Sequence, residues 1–576
     1  MKTTPNIQGR EYWQSLEELA GDPAFIERVD REFADYDPAE IAGMSRRKFL
    51  RLMAGSMALA GLTLSGCRRY PEEKLAPYAK QPEGRMPGVP TRYASMIELQ
   101  GVATGLLVTS YDGRPIKIEG NPSHPYSLGA TDAIAQASVL ELYDPERSRT
   151  IIDRRGPKPT QMSWKDFSRT YNLLFDQLRD LKGQGLAVLC EQSSSPTVAR
   201  LRGNLLKAMP QAKWYEYEAV SNDNRLAASK LAFTNDKPLR PVYDLKKAKA
   251  IACFDADFLG SHPAKLKLAR DWAAGRKTAD DGEMNRLYVA ESRYTVTGSV
   301  ADERIALKPS RVEALLVALA VKLGVSGITQ EGETSLTDRE KHFIEWLARD
   351  LTYYGKQSIV IAGEQTSPAA QAIAHRINAK LGAIGSTVTF IEEPDHADRP
   401  SHAAGIEQLT SALNAGEVKV LLILGGNPAY DAPADVNFAA AIAKADNSIH
   451  LSLYDNETSE LVQYHVPRAH YLESFGDGRA WDGTVTLQQP LILPMYDGKT
   501  IGELLALATE GKEKENLDLV RETAGAFLSA DLFEKMWRRS LHEGLITGSG
   551  AKVVAPTLSG KPLSTPVAEG KEQLEL

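Results

Sequence analysis

LAVLCEQSSSPTVARLRGNLLKA, residues 186–208, and SIVIAGEQTSPAAQAIAHRINAK, residues 358–380, follow one plan. Each opens on a short apolar run of strand character, passes through Glu-Gln and a Ser/Thr segment, and enters a helical pattern at a proline. Ser195 before Pro196 and Ser367 before Pro368 suit an N-cap followed by a first-turn proline. The hydroxyl can accept from a first-turn N–H, and proline lacks the N–H that would go unpaired there. The echo continues downstream. AKAIACFDADFLGSHPA (248–264) matches VKVLLILGGNPAYDAPA (418–434), and RLYVAESRYTVTGSVADERIALKP (286–309) matches SIHLSLYDNETSELVQYHVPRAHYLE (448–473). Strands alternating with helices predict an α/β fold with two pseudo-repeated, doubly wound lobes. Ligands of such sheets lie beyond the strand C-termini, so the loops 255–263 and 425–428 should line any site. Asp257, His262, Gly425, Gly426 and Asn427 are its crevice candidates, although a glycine after a strand also serves simply as a turn residue.

At 576 residues, 43% hydrophobic and 25% charged, the chain is long enough for several globular domains. Its 68 basic and 75 acidic residues give a net charge of -7, which argues against the broad cationic surface of a nucleic-acid binder. SRRKFLRLMAGSMALAGLTLSGC, from Ser45 to Cys67, reads as a twin-arginine export signal (Arg46, Arg47) that ends on a lipid-accepting cysteine, Cys67. Its uncharged run is shorter than the roughly 20 residues of a membrane span. The expected location is the outer, periplasmic face of the cytoplasmic membrane, lipid-anchored and exported by the twin-arginine route.

Proline-rich residues 68–92 read as an extended arm. VATGLLVTSYDGRPIKIEG around Asp112-Gly113 reads as a β-hairpin. The expected organisation is a leader (1–67), the arm (68–92), an N-terminal β subdomain (93–160), a first lobe (161–350), a second lobe (351–500) and a helical C-terminal segment with a tail (501–576). Cys67, Cys190 and Cys253 are the only cysteines, and the last two sit in apolar runs where a buried thiol is the default. No Cys-x-x-Cys-His haem motif occurs, and His124, His262, His465 and His470 are scattered along the chain, in structural or surface roles.

GNPSHPYSLGATDAIAQASVLELYDPERSRT, MSWKDF, ADERIALKP and ILGGNPAYDAPA together resemble the molybdopterin oxidoreductases, from about Tyr93 to residue 500. With the polar leader, the arm and LESFGDGRAWDGTVTLQQPLILPMYDGKT, the whole order is most similar to the B subunit of alternative complex III, a quinol-oxidising respiratory assembly. The resemblance implies a [4Fe–4S] cluster held by four cysteines. Aligned through GLLV, GNPSHP and GATDAIA, those positions are Ile97, Gln100, Thr104 and Asp132 here, and the superfamily lysine is Ile134. In the loop where relatives bind molybdenum, Ser221 or Asp223 is the nearest candidate, and a solvated loop residue is the plainer reading.

The expectation is therefore a scaffold subunit with no cofactor of its own and no catalytic residues. Its partners would be an iron–sulfur subunit or domain, multihaem cytochrome c subunits, a quinol-binding membrane subunit and membrane lipid. The alternatives are a catalytic subunit binding molybdopterin guanine dinucleotide, or a periplasmic binding module using the interlobe crevice.

Overall fold

Short, fully buried apolar runs become parallel strands because both of their faces are covered, as in Leu186–Cys190, Ala250–Phe254 and Val420–Leu424. The computed structural model describes residues 23, 86, 88–277, 284–328, 336–394 and 400–564. The leader with Arg46, Arg47 and Cys67, and most of the arm, lie outside the described residues.

Two parallel arrays carry the fold. In one sheet the order is Thr160–Met162, Ile151–Asp153, Tyr464–Pro467, Asn447–Ser452, Val420–Leu424, Leu186–Cys190 and Lys213–Glu216. Its last five strands are parallel, and Ile151–Asp153 joins antiparallel. The other sheet is wholly parallel, in the order Glu303–Ala306, Arg286–Glu291, Ala250–Phe254, Ser358–Ala362.

The echo holds element by element, but its strands are exchanged. Leu186–Cys190 lies beside Val420–Leu424, and Ser358–Ala362 lies beside Ala250–Phe254. Each sheet thus takes the first strand of one half and the later strands of the other, so the lobes do not divide at residue 350. Local periodicity specifies that a segment is a strand; which sheet it joins depends on pairing across more than a hundred residues.

The N-terminal subdomain is also shorter than expected. It comprises the antiparallel strands Thr91–Leu99, Val102–Tyr111 and Arg114–Gly120, and the helix Ala133–Leu142 packed on them through Ile97, Leu106, Ile118 and Val139. Residues 151–162 belong to the seven-stranded sheet instead. Both hairpins turn on paired positive φ angles, at Gln100-Gly101 (52° and 65°) and Asp112-Gly113 (47° and 85°).

Ser195 and Ser367 cap their helices, with their hydroxyls accepting from Val198 N and Ala370 N. Cys190 and Cys253 are buried free thiols. The C-terminal segment supplies the helices Ile501–Glu510, Asn516–Ala524 and Phe533–Glu543, while Val553–Val554 pairs with Val388–Glu392. Among the described residues, no helix is long and apolar enough to cross a membrane.

Candidate functional site

Where a parallel sheet changes winding direction, its strand ends leave a crevice. The strand exchange creates two such junctions, and a cavity lies at each.

The first cavity, of about 220 Å³, opens at the ends of Ala250–Phe254 and Ser358–Ala362 and gathers Gln100, Ser221, Asp257 and His262. Two of its lining residues, Arg225 and Trp481, belong to a buried charge cluster that the sequence did not reveal. Glu393 accepts from Arg225 (2.7 Å) and from Arg240, while both guanidiniums lie over the Trp481 ring at 5.3 and 4.8 Å. Burial raises the Glu393 carboxyl, but the two arginines outweigh it and hold it well below the carboxylate range. His262 packs edge-on against Trp481 at 4.8 Å. Burial, with Arg225 and Arg240 nearby, pushes its imidazole down to about 3. Ala264 N–H donates to Nδ1 at 2.9 Å, which leaves the ring proton of the neutral imidazole on Nε2. Asp257 is occupied structurally, its Oδ1 accepting from Gly260 N, Thr297 N and Thr297 Oγ1. Ser221 sits just before the helix Asp223–Ala232, where its hydroxyl accepts a long contact from Asp223 N (3.4 Å), and Asp223 in turn accepts from His402 N (2.7 Å).

The second cavity, about 320 Å³, lies beyond Leu186–Cys190 and Tyr464–Pro467 and includes Ile97, Glu98, Glu191 and Arg468. Arg468 pairs with Glu191 at 2.6 Å. Gly425, at φ 83°, lets this pair pass: a Cβ there would overlap the Glu191 carboxylate. Glu98 reaches in from the hairpin and accepts from Ser193 Oγ (3.0 Å) and Ser194 Oγ (2.7 Å). Glu218 accepts from Gln192 N at 3.2 Å. Burial pushes Glu98 up to about 6, and burial together with Glu191 pushes Glu218 up to about 7.

The loop 255–263 lines the first cavity, whereas 425–428 lines neither, and only Gly425 approaches the second through the Glu191–Arg468 pair. Gly426 O is held by His450 Nε2 (3.2 Å), and Asn427 bridges to Glu457 and Thr458 as a loop tie. The one sequence signal for these clusters is the repeated Glu-Gln. Glu191 contacts Arg468, and its counterpart Glu364 lies 4.0 Å from Arg225.

The four positions that the sequence resemblance aligns with cluster ligands have other employment. Ile97, 7% exposed, faces Thr104 across the strand ladder, and Gln100 forms the turn between them. Asp132 caps the helix Ala133–Leu142 through Ala135 N (2.8 Å) and pairs with Lys265 (2.8 Å). These side chains do not fit an iron–sulfur cluster, which requires thiolates. Among the described residues, no group of three or more His, Cys, Asp or Glu is arranged to hold a metal. The histidines are structural. His124 is buried with Nε2 at 3.1 Å from Thr486 Oγ1, His465 bridges Ser459 and Ser148, and His470 Nδ1 accepts from Leu472 N. Glu473 caps His470 N and Met495 N and grips Arg147, while Asp477 caps the helix Pro196–Ala208 at Thr197 N.

Interleaved parallel sheets with a β subdomain at one end constitute the molybdopterin-oxidoreductase fold. Acetylene hydratase from Pelobacter acetylenicus shares it with a TM-score of 0.53, covering 77% of this chain and 73% of its own at 13% identity. The menaquinone reductase molybdopterin-binding-like subunit of Nitratidesulfovibrio vulgaris is 24% identical over 449 residues, 71% of this chain and 63% of its own. The molybdopterin-containing subunit of the Shewanella sp. (strain ANA-3) arsenate respiratory reductase is 20% identical over 495 residues, 67% of this chain and 56% of its own. The chain thus spans about three fifths of the length of these curated relatives. No protein-family model matches it.

Proposed function

We propose that this chain is a scaffold-type subunit of a respiratory electron-transfer complex, similar to the B subunit of alternative complex III, which keeps the molybdopterin-oxidoreductase fold without its redox centres. The observation that carries this reading is the employment of Ile97, Gln100, Thr104 and Asp132 in packing, a turn and a helix cap. The crevices add support. A cavity of about 220 Å³ is smaller than the roughly 300–1,000 Å³ that ligand pockets enclose. The second, at about 320 Å³, is at the bottom of that range, and a dinucleotide-sized cofactor would have to displace the internal ion pairs.

In this reading the chain is exported by the signal around Arg46 and Arg47, anchored by lipid on Cys67, and assembled on the periplasmic side with an iron–sulfur subunit, multihaem cytochromes c and a quinol-binding membrane subunit. The molybdopterin-containing subunit among the relatives favours a second reading, in which this chain carries a molybdopterin cofactor as a catalytic subunit. Metal analysis by inductively coupled plasma mass spectrometry on protein purified gently from membranes separates the two. The scaffold reading expects no molybdenum or tungsten, and iron only in proportion to co-purifying subunits. Near-stoichiometric molybdenum would overturn it.

A further inference from the structure

The widest of these cavities lies in neither crevice. A groove of about 610 Å³ runs between the edge strand Glu303–Ala306 and the helix Asp338–Tyr354. Its floor is apolar: buried Tyr288, Ile305 and Phe343, the two rings meeting edge to face at 5.9 Å. Its walls are guanidinium and indole.

Arg286 (2.6 Å) and Arg349 (3.5 Å) share one carboxylate, Asp350, and Arg339 donates to the Arg304 carbonyl at 3.4 Å. Arg304 is matched by Glu291, and Asp302 by Arg276. Among the described residues of the groove, what is left is Arg286, Arg339 and Arg349 against Asp350 and Glu303, an excess of one positive charge on a chain whose net charge is -7. Two arginine–aromatic stacks flank the groove: Arg304 over Tyr294 at 3.9 Å and Arg349 over Trp346 at 4.2 Å. These rings remain 77% and 51% exposed, and Tyr353, two helical turns beyond Trp346, is 81% exposed. Trp, Tyr and Arg are the residues that most often dominate binding energy at protein interfaces.

We propose that this groove docks an extended, acidic segment of a partner protein. Among the described residues the edge strand is paired on one side only, which suits addition of a further strand. The floor accepts an apolar side chain, and Arg339, which donates to a backbone carbonyl, together with the Arg286 and Arg349 guanidiniums that share Asp350, can donate to a partner's carboxylates, bidentately where geometry allows. Interleaved Glu303 and Asp302 disfavour a phosphate backbone or an anionic membrane, which need an unbroken basic surface. The identity of the partner as a subunit of the same complex rests on the function proposed above; the chemistry of the groove does not.

The test replaces Tyr353 by the photo-crosslinker p-benzoylphenylalanine in the full chain, followed by illumination in native membranes, gentle purification and peptide mapping. The expected result is a cross-link into a carboxylate-rich segment of a co-purifying subunit. It should fall about tenfold in the Arg339→Glu/Arg349→Glu variant and in Trp346→Ala, the loss of a central contact. Cross-links only to lipid, or only within this chain, including its acidic stretches 278–283 and 329–335, would overturn the proposal. So would no cross-link while other subunits still co-purify, and that outcome leaves the scaffold reading standing. Absence of any co-purifying subunit overturns both.

Discussion

The two crevices are built on the same repeat and carry inverted charge. At the four-stranded sheet Glu393 lies between two guanidiniums, with Glu364 4.0 Å from one of them; at the seven-stranded sheet one guanidinium, Arg468, pairs with Glu191, and the carboxyls of Glu98 and Glu218 are held by hydroxyl and backbone donors. The neighbours respond accordingly. His262 and His375 are held neutral on the basic side, and Glu98 and Glu218 resist ionisation on the acidic side. Strand order and turn chemistry are properties of the repeat. Site chemistry comes from side chains that the repeat does not constrain.

The largest effect should come from breaking the basic side. Glu393→Ala strands two buried guanidiniums, and unfolding by urea should show a loss of about 3–5 kcal/mol. Glu393→Gln keeps the volume but not the charge and should recover only part of it. A loss below about 1 kcal/mol in the alanine variant would mean that Arg225 and Arg240 find other partners or water, and the contrast between crevices would collapse.

On the acidic side, Gly425→Ala tests close approach. The position combines φ 83° with a Cβ site that overlaps Glu191 and comes 2.9 Å from Arg468 Nη1. Left-handed strain and a displaced ion pair together should cost about 2 kcal/mol. A fully stable variant with the Glu191–Arg468 pair intact would show that the loop can move aside.

The comparison sharpens with pH. Glu98 and Glu218 have raised values, so the native state holds their protons more tightly than the unfolded chain. Their contribution to stability is present below the ordinary value of 4.5 and is lost as pH rises through about 6 and about 7. His375, pushed down to about 4 by burial and by Arg225, behaves oppositely: its contribution is present above 6.5 and is lost as pH falls toward 4. Relative to wild type, Glu98→Gln/Glu218→Gln should gain stability with rising pH between 4.5 and 7, and His375→Phe should gain it with falling pH below 6.5, each on the order of 1 kcal/mol. Denaturation midpoints across that range check both slopes, and parallel curves for all three proteins would remove the distinction.

Much of the scaffold was legible because it rests on local chemistry. Ser195 and Ser367 cap their helices, Asp112-Gly113 turns its hairpin, and the apolar runs around Cys190 and Cys253 are buried strands. The strand exchange was not legible, since nothing within Leu186–Cys190 says that its partner is Val420–Leu424. The charge clusters escaped for the same reason. Arg225 and Glu393 are 168 residues apart, and neither belongs to a recognisable motif. Of the crevice candidates, Ser221, Asp257 and His262 do line a common cavity with Gln100, while Gly425 only backs the Glu191–Arg468 pair and Gly426 and Asn427 are tied to His450, Glu457 and Thr458 outside both cavities.

Asp132 offers the mildest test, at a position outside both crevices. Where the sequence resemblance aligns a cysteine ligand, this side chain accepts from Ala135 N and pairs with Lys265, and both partners of that pair are partly buried. Asp132→Ala removes cap and ion pair and should cost about 1–2 kcal/mol. Asp132→Asn retains a capping oxygen and loses only the charge, so it should cost about 0.5 kcal/mol or less. If thermal unfolding ranked the two variants equally, the cap would contribute nothing and the Lys265 link would be the reason for the aspartate. The expected order, with alanine clearly worse, assigns Asp132 to holding the first turn of Ala133–Leu142 against the β subdomain.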